Sequence, residues 1–468
     1  MTEEPSYDLS ILGAGPGGYV AAIRAAQLGM KVALVEREYL GGVCLNWGCI
    51  PTKARLRNAE IARLLGNGKE FGFSMEEVTL DYGAAADRSK KVATRLIKGI
   101  QTLLEKNGVE ILWGSGRLTA PTTLEVTLNE GDSRTLTAKA TILATGGRPC
   151  VPPGMTPDGD HILTARHAIE RRTRPASAII IGGGPIGLEI ATIWASYGAE
   201  VQVVEMQPQI LPAEDEEAAS ELERALRRQK IRVHTATRVT QITKSESGVR
   251  VAVTNAKGEQ VLEAEVALVA VGFCAAPQGL GLEELGVRQE KSGWIAVDGY
   301  LRTNLPGLYA IGDCNGTLPL AHVASAQGIA VVETLAGIER PPFDCTFIPH
   351  GTYTTPQVAS FGLTEAKARA QGLSVRVGKF PFLPNGKALG LGENQGFVKI
   401  VAEEESHKLL GAVIVGPEAT ELLPELVLAH EAGLSPEAVA QTVHAHPTLN
   451  EAIMEAAHGV FGKAIHMI

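Results

Sequence analysis

Two cysteines separated by four residues, Cys44 and Cys49, form the pair with the clearest chemistry in this sequence. A disulfide that closes so small a loop removes little entropy from the unfolded chain, so it would contribute almost no stability. Residues 53–60 are predicted to be helical, which places Cys49 at or near a helix N-terminus, where the dipole and open N–H groups favour a thiolate. Zinc spacing is missing. The pattern therefore predicts a redox-active disulfide rather than two unrelated buried thiols.

A histidine and a glutamate near the end of the chain form a second candidate pair. Pro447 suits the first position of a helix, and Glu451 on the first turn could reach back to orient the ring of His446. An imidazole held by a carboxylate is suited to acid–base chemistry. A histidine near a helix start is more often structural than catalytic, so the spacing alone leaves both interpretations open.

The residues before the cysteines have the pattern of a dinucleotide-binding unit. A strand-like run at 7–12 opens into a glycine-rich turn, and a helical segment, a second strand and an acid follow in order. The acid is Glu36, placed to accept hydrogen bonds from an adenosine ribose. The glycines permit a tight turn, the approach of a pyrophosphate, and close packing of helix on strand; they are Gly13, Gly15 and Gly18.

The same unit recurs in the middle of the chain. Residues 178–181 lead into a turn with glycines at the equivalent places, and the second acid, Glu205, stands at the same distance from the last glycine as Glu36 does. The glycines of this turn are Gly182, Gly184 and Gly187. Two dinucleotides are therefore predicted, and the adjacent cysteines favour FAD at the first site, relaying electrons to a nicotinamide at the second. Glu205 would repel a 2′-phosphate and residues 206–213 include no Arg or Lys, which favours NAD over NADP.

Two further segments are predicted to complete the first site. Residues 140–144 lead into Thr145 and Gly146, a strand end followed by a tight turn. Another buried strand ends at Asp313, whose carboxylate would point into the ligand crevice and bond the ribityl or pyrophosphate portion of the flavin. A turn cap or helix N-cap is an equally good interpretation of Asp313.

Composition limits the remaining possibilities. A chain of 468 residues is too long for one core, and its net charge of -9 disfavours nucleic acid and anionic membranes as partners. No apolar run reaches transmembrane length, and residues 1–5 lack the features of a signal peptide, so we expect a cytoplasmic protein. No metal site is expected. The other cysteines are expected to be single buried thiols of a reducing compartment; they are Cys150, Cys274, Cys314 and Cys345.

Taken together, these segments resemble the flavin-dependent pyridine nucleotide-disulfide oxidoreductases, and among them the dihydrolipoamide dehydrogenases, over essentially the whole chain. The matching motifs are GAGPGGYVAAIRAAQLG from residue 13, GGVCLNWGCIPTKA from 41, ATG at 144–146, GGGPIGLE from 182, YAIGD at 309–313 and HAHPTLNEA from 444.

The resemblance implies a role for each candidate residue. Cys44 would be the interchange thiol that meets the substrate, and Cys49 the charge-transfer thiol beside the flavin. Lys53 would lie near the reactive nitrogen of the flavin and pair with Glu189. The histidine–glutamate pair in HAHPTLNEA would be the base, supplied by the other subunit of an obligate homodimer. The implied reaction oxidises dihydrolipoamide on a separate lipoylated carrier protein, of a 2-oxoacid dehydrogenase, glycine cleavage or other lipoyl system, and reduces NAD⁺.

Three positions depart from the family pattern. Phe273 replaces a common arginine and is expected to affect nicotinamide binding, whereas Gln327 and Gln357 stand where glutamates are common. Two alternative functions stay open: NADH-dependent reduction of another disulfide or a quinone, and a non-catalytic flavoprotein whose redox-dependent shape recruits partners. They differ in the assay, because only the dehydrogenase predicts rapid NADH formation from dihydrolipoamide.

The expected fold class is α/β, with two Rossmann-like dinucleotide-binding domains and a C-terminal α+β dimerisation domain. The sequence after residue 345 carries no nucleotide motif, and residues 398–401 and 411–415 alternate like antiparallel strands. The expected domains are a first FAD-binding part at 1–149, an NAD-binding domain at 150–273, a central segment that completes the FAD site at 274–345, and a dimerisation domain at 346–468.

Overall fold

The computed structural model describes residues 6–467, so the segment on which the signal-peptide prediction depends, residues 1–5, lies outside the described part. The chain forms two compact units. The first comprises the chain up to Ala54 with Ala84–Cys150 and Gly272–Cys345; the second comprises Arg55–Gly83, Val151–Val271 and the chain from Thr346 onward. Within residues 6–467, no helix is both long and apolar enough to cross a membrane.

The first unit is built on a parallel sheet of short apolar strands. Such strands are buried on both faces because helices cover a parallel sheet on each side. In spatial order they are Glu110–Ala120, Val32–Glu36, Tyr7–Leu12, Ser133–Leu143 and Leu308–Ala310. The outer parts of the first and fourth strands pair in antiparallel fashion with Thr123–Leu128. The helices of this unit are Pro16–Gln27, Gly42–Asn46 and Ala321–Leu335, with a 3-10 turn at Gly312–Asn315. The helix Cys49–Gly66 begins in this unit and continues into the second, the helix Tyr82–Lys106 belongs to the first unit from Ala84 onward, and the 3-10 turn Gly68–Phe71 belongs to the second.

A second parallel sheet forms the nucleotide-binding part of the second unit. Its strands, in spatial order, are Arg232–His234, Glu200–Val204, Ser177–Ile181, Val266–Val269 and Ile162–Leu163. Its helices are Ala165–Glu170, Pro185–Ser196 and Glu216–Arg228. A separate antiparallel sheet consists of Arg238–Ser245, Gly248–Asn255 and Gly258–Ala264. The two Rossmann-like sheets confirm the predicted α/β fold class.

The C-terminal part of the second unit is an antiparallel sheet packed against helices, as expected for an α+β domain. Its strands, in spatial order, are His350–Thr352, Gln357–Gly362, Leu409–Gly416, Phe397–Glu403 and Val375–Pro381. Its helices are Glu365–Ala370, Gly386–Leu391, Ala419–Glu431, Pro436–Gln441 and Glu451–Gly459. Fully or almost fully buried side chains such as Phe361, Phe382 and Ile453 fill the space between sheet and helices.

A buried lysine joins this antiparallel sheet to the start of the helix Glu216–Arg228. Lys399 is only 3% exposed, and its Nζ lies 3.0 Å from Asp215, 3.3 Å from Glu217 and 3.1 Å from Glu365. Burial lowers the pKa of Lys399, but the surrounding carboxylates outweigh burial and the pKa is raised. We call these four residues the Lys399 cluster. A buried charge is tolerated here because it is surrounded by opposite charges.

The expectation that the four remaining cysteines are single thiols is wrong for two of them, because Cys150 and Cys274 form a disulfide. Cys150 directly follows one strand of a small antiparallel ribbon, and Cys274 lies in the other strand. The two strands are Gly147–Pro149 and Phe273–Ala275. This pairing brings the two Cα atoms to 5.1 Å although the residues are 124 positions apart in sequence.

Candidate redox site

Cys44 and Cys49 lie on two consecutive helices that follow the second strand of the first unit. Cys44 is in the helix Gly42–Asn46, and the next helix, Cys49–Gly66, begins at Cys49 as the sequence predicts. The chain folds back sharply at Gly48, where a Cβ atom would lie 2.8 Å from a backbone oxygen of the preceding helix and 3.0 Å from the Cα of Cys44. Glycine at this position therefore allows the two sulfurs to meet, and both are thiols joined by a side-chain hydrogen bond.

The surroundings of Cys44 favour its protonated form. Its hydrogen bond to Cys49 is the largest cause that raises its pKa, and burial adds to the increase. The backbone N–H of Cys49 and the charge of Lys53, one turn further along the helix, lower the pKa of Cys44 but do not outweigh these causes. Within the pair, these contacts favour the proton on Cys44.

The predicted nucleotide-binding residues of the first unit lie at one edge of its sheet. The strand registers pair Leu12 with both Val35 and Leu143, and Leu143 with Ala310. These strands are parallel, so the residues that follow their ends share the carboxyl edge, where α/β sheets bind ligands. The structure thus places together Gly13, Glu36, Thr145, Gly146 and Asp313.

The glycines of the first turn allow the chain to pack closely at the start of the helix Pro16–Gln27. Gly13 has a φ of 102°, and a Cβ atom on it would lie 2.4 Å from the oxygen of Ala144. A Cβ on Gly18 would lie 1.8 Å from the oxygen of Gly13, so the helix could not approach the turn with any other residue there. Gly15 is the N-cap residue, and because it has no side chain it does not cap the helix itself. The N–H groups at a helix N-terminus have no acceptor within the helix, and such an end fits a pyrophosphate.

The carboxylate of Glu36 holds the turn through backbone hydrogen bonds. One oxygen accepts from the N–H of Ala14 at 2.8 Å, and the other accepts from Glu38 at 2.8 Å and Tyr39 at 3.2 Å. Its contact with an adenosine ribose stays a prediction.

Asp313 lies in the first turn of the 3-10 segment Gly312–Asn315, whose N-cap residue is Ile311, so Asp313 is not the N-cap of this segment. Burial raises the pKa of its carboxyl group.

Gln327 supports the Asp313 segment and was not identified from the sequence as a site residue. Its Oε1 accepts from the N–H of Gly312 at 2.7 Å and from Nδ2 of Asn315 at 3.1 Å, which fixes the orientation of the amide. Gln327 is fully buried, and its Nε2 has no hydrogen-bond partner among the described residues. A buried donor without an acceptor is costly, so this atom fits a site that an acceptor from a bound group completes.

The second glycine turn repeats the first in detail. Gly182 has a φ of 106°, and a Cβ on Gly187 would lie 2.4 Å from the oxygen of Gly182, while Gly184 has open space around it. Glu205 is 6% exposed; it accepts from the N–H groups of Gly183 and Gln207, both at 2.7 Å. A carboxylate therefore occupies the position beside the turn where a 2′-phosphate would need a cation.

Glu189 lies on the helix Pro185–Ser196 and is 3% exposed. One of its oxygens accepts from the backbone N–H of Tyr353 at 3.0 Å. The pairing of Glu189 with Lys53 that the resemblance implies stays a prediction.

His446 and Glu451 form the predicted pair. Nδ1 of His446 lies 2.8 Å from one oxygen of Glu451, whose other oxygen accepts from the N–H of Thr448 at 2.9 Å. Burial raises the pKa of Glu451, but the Thr448 N–H and the imidazole outweigh burial and the pKa is lowered. An ionised carboxylate only accepts, so Nδ1 carries the proton and Nε2 is left as the basic nitrogen of the neutral ring. The ring is 79% exposed on the single chain.

The placement of Pro447 at the first helical position is wrong, because the helix begins at Glu451. Glu451 binds the N–H of Thr448 and so organises the preceding residues as a turn rather than a helical first turn. A second pair that sequence reasoning missed supports the same loop: Nε2 of His444 lies 2.8 Å from Glu425, which also accepts from Asn450 at 2.8 Å.

Gln357 accepts from the N–H of Thr420 at 3.1 Å and from its hydroxyl at 2.9 Å, roles that a glutamate could also fill. Phe273 lies in the ribbon that carries the disulfide, opposite Pro149. Within the described residues, no group of three or more His, Cys, Asp or Glu side chains could hold a metal ion.

Two family models match the chain. The pyridine nucleotide-disulphide oxidoreductase model covers residues 7–328, and the dimerisation domain of the same family covers residues 348–457. Proteins named dihydrolipoyl dehydrogenase from Zymomonas mobilis and Mycobacterium tuberculosis are 44% and 46% identical over 462 residues, which is 98% of this chain and 99% of each relative.

Solved structures show the same fold. LpdA from Mycobacterium tuberculosis matches with a TM-score of 0.90 and 29% identity, over 96% of this chain and 98% of that one. A Cu(II) complex of the HOCl-induced flavoprotein disulfide reductase RclA from Escherichia coli matches with a TM-score of 0.85 and 25% identity, over 97% of this chain and 99% of that one.

Proposed function

The chain belongs to the pyridine nucleotide-disulphide oxidoreductase family, and on this premise we propose that it oxidises protein-bound dihydrolipoamide to lipoamide and reduces NAD⁺. The observation that carries the proposal is the hydrogen-bonded pair of Cys44 and Cys49 at the start of a helix, beside a complete dinucleotide turn. Full-length relatives named for this reaction support the same conclusion.

The residues present fit both cofactors of the family, FAD and NAD. The first turn provides a helix start bordered by Gly13, Gly15 and Gly18, and Gln327 offers a buried donor that needs an acceptor. FAD at this site supplies the two-electron chemistry that links a dithiol to a nicotinamide. We assign Glu36, Thr145, Gly146 and Asp313 to binding it, and Lys53, paired with Glu189, to its reactive side. The second turn and Glu205 are assigned to NAD.

The thiol chemistry follows from the protonation states of this chain. In the oxidised enzyme, Nε2 of His446 of the partner subunit removes a proton from a dihydrolipoyl thiol, and Glu451 stabilises the resulting imidazolium. The thiolate attacks the sulfur of Cys44, the Cys44–Cys49 bond breaks, and Cys49 leaves with the electron pair. The second substrate thiol then attacks the substrate sulfur of the mixed disulfide and releases lipoamide. Cys44 takes up the proton that its surroundings favour.

The dimerisation domain supports a homodimer. We further propose a lipoylated carrier of a 2-oxoacid dehydrogenase, glycine cleavage or other lipoyl system as the partner, and the cytoplasm as the compartment. The proposed domains are an FAD-binding part at 1–149, completed by 274–345, an NAD-binding domain at 150–273 and a dimerisation domain at 346–468.

A second candidate is the reduction of another substrate by NADH, favoured by the similarity to the disulfide reductase RclA. Steady-state rates separate the two functions. The dehydrogenase predicts rapid NADH formation from dihydrolipoamide and NAD⁺, with Cys44→Ser inactive and Cys345→Ser, at a cysteine outside the site, fully active. Rapid NADH consumption with a linear disulfide or a quinone, together with negligible dihydrolipoamide oxidation, would replace this proposal with the second candidate.

A further inference from the structure

We infer that Cys150 and Cys274 form a second redox-responsive site, whose disulfide controls the order of the segment behind the nicotinamide turn. Both residues are half-buried, so a small thiol can reach them, whereas Cys314 is buried. Lasting disulfides are rare in a reducing compartment such as the one we propose, and those that form there are mostly catalytic or redox-sensing.

The disulfide reinforces a short two-stranded ribbon. The ribbon has three residue pairs, in which Phe273, Cys274 and Ala275 oppose Pro149, Arg148 and Gly147. Additional hydrogen bonds are the Cys150 N–H to the Gly272 oxygen at 2.9 Å and Arg148 Nε to the Ala275 oxygen at 3.3 Å. A two-stranded ribbon is marginally stable by itself, and a covalent link across a loop as long as this one restricts the chain strongly. Opening the disulfide should therefore loosen the ribbon.

The ribbon continues directly from the segment that packs on the second glycine turn. Ala270 donates its N–H to the oxygen of Ile181 at 2.8 Å, and a Cβ on Gly182 would lie 2.4 Å from the oxygen of Ala270 and 3.3 Å from the nitrogen of Val271. Only Gly272 and Phe273 separate this segment from Cys274. The disulfide thus restrains the backbone on which the nicotinamide turn rests. A reduced pair should bind NADH more weakly.

A dithiol of the same class as the proposed substrate can open the disulfide. The identity of this reductant rests on the proposed function. One dihydrolipoyl thiolate attacks Cys150 or Cys274, the disulfide breaks, and the other cysteine leaves as a thiolate. The second dihydrolipoyl thiol closes the cyclic disulfide and releases the first cysteine. Two electrons pass from the dithiol to the cysteines, which take up its two protons. The step is reversible, so the ratio of dithiol to disulfide in the substrate pool sets the state of the site.

Differential alkylation tests the redox response in the full-length holoenzyme purified without reductant. Peptides with Cys150 and Cys274 should be unlabelled before treatment and labelled after treatment with dihydrolipoamide, and Cys345 should react in both samples after denaturation. Unlabelled Cys150 and Cys274 after a treatment that labels Cys44 and Cys49 would show a permanent disulfide and overturn the inference. Labelling before treatment would also overturn it, because the disulfide would not exist.

Direct titration with NADH, without turnover, tests the coupling. Dithiol treatment also reduces the Cys44–Cys49 pair, so the treated enzyme carries Cys44→Ser, which removes that disulfide. This enzyme after treatment, and the double variant with Cys150→Ser and Cys274→Ser, should each bind NADH at least about fivefold more weakly than the same enzyme with the Cys150–Cys274 disulfide closed, at the low end of coupling between sites. Cys345 lies in the same unit as these two cysteines, so Cys345→Ser is the matched control and should not change the affinity. If the double variant fails to fold, the treated Cys44→Ser enzyme still gives the answer. Equal affinity before and after opening would refute the coupling. Opening by dihydrolipoamide without NADH formation would refute the proposed function alone.

Discussion

Replacing Glu451 by glutamine separates the charge of this residue from its shape. The carboxylate accepts from both His446 and Thr448, whereas an amide oxygen can replace only one of these acceptors and carries no charge. A hydrogen bond to a charged group contributes about 1.5–3 kcal/mol, and a neutral bond about 0.5–1.5 kcal/mol. The exposed ring favours the lower end, so the loss is about 1.4 kcal/mol, or roughly tenfold in kcat/KM. His446→Ala removes the base itself and should cost about 10²–10⁴-fold.

The assay is the initial rate of NADH formation from dihydrolipoamide at saturating NAD⁺, normalised to the bound FAD. Because the pKa of Glu451 is lowered, its carboxylate stays charged at every pH above the ordinary pKa of a glutamate. It loses this charge only when the pH falls through the lowered pKa. The tenfold difference from wild type should therefore persist at every pH above about 4.3.

The chain supplies a matched control one turn along the same helix. Glu455 binds Nδ1 of His466 at 2.6 Å with one oxygen and the N–H of Ile465 at 2.8 Å with the other, and its pKa is also lowered. Glu455→Gln should leave kcat/KM of the folded enzyme unchanged. An equal loss in both variants would show that Glu451 acts only through helix stability, and no loss in Glu451→Gln would refute its role at the base.

Three further predictions follow from the site and the fold. Glu205 and the absence of Arg and Lys from residues 206–213 should make kcat/KM for NAD⁺ at least about tenfold higher than for NADP⁺, a difference of about 1.4 kcal/mol, and comparable values would contradict the assignment of the second turn. Cys49→Ser should abolish the long-wavelength absorbance of the two-electron-reduced holoenzyme, whereas Cys44→Ser should display it without reductant; the opposite result would invert the two roles. Lys399→Met should lower the free energy of unfolding by about 3 kcal/mol at pH 7, because it removes the cation beside the buried carboxylate of Asp215. This loss should shrink at low pH, since the hydrogen bond from Lys399 helps to lower the pKa of Glu365, and this stabilising contribution disappears as the pH falls through the lowered pKa. Urea denaturation measures it, and a pH-independent effect would argue against the charge mechanism.

The features that the sequence predicts well are encoded within short stretches of chain. Each glycine turn, its following helix and its acid lie within about one supersecondary unit, so their spacing directly reflects their geometry. Cys49 at the head of its helix and the contact of His446 with Glu451 are local in the same sense.

The features that the sequence does not predict depend on pairings between distant segments. The Cys150–Cys274 disulfide arises from the register of two strands 124 residues apart, which composition cannot indicate. Gln327 contacts Gly312 from another helix, and the packing of that helix decides the contact. Pro447 lies before the helix, which begins at Glu451 after the N-cap residue Asn450, and the side chain of Glu451 binds the Thr448 N–H of the preceding turn.

In the proposed mechanism, Cys44 of one subunit and His446 of the other form one active site that oxidises dihydrolipoamide. Subunit mixing tests it most directly, with the variants Cys44→Ser and His446→Ala, each inactive alone. Random reassembly gives half mixed dimers, and each of these retains one intact site, so the rate of NADH formation should recover to about one quarter of the wild-type value. If subunit exchange is demonstrated and no activity is recovered, this result would contradict the shared site. A site within one chain predicts no recovery, because no single chain in the mixture holds both residues.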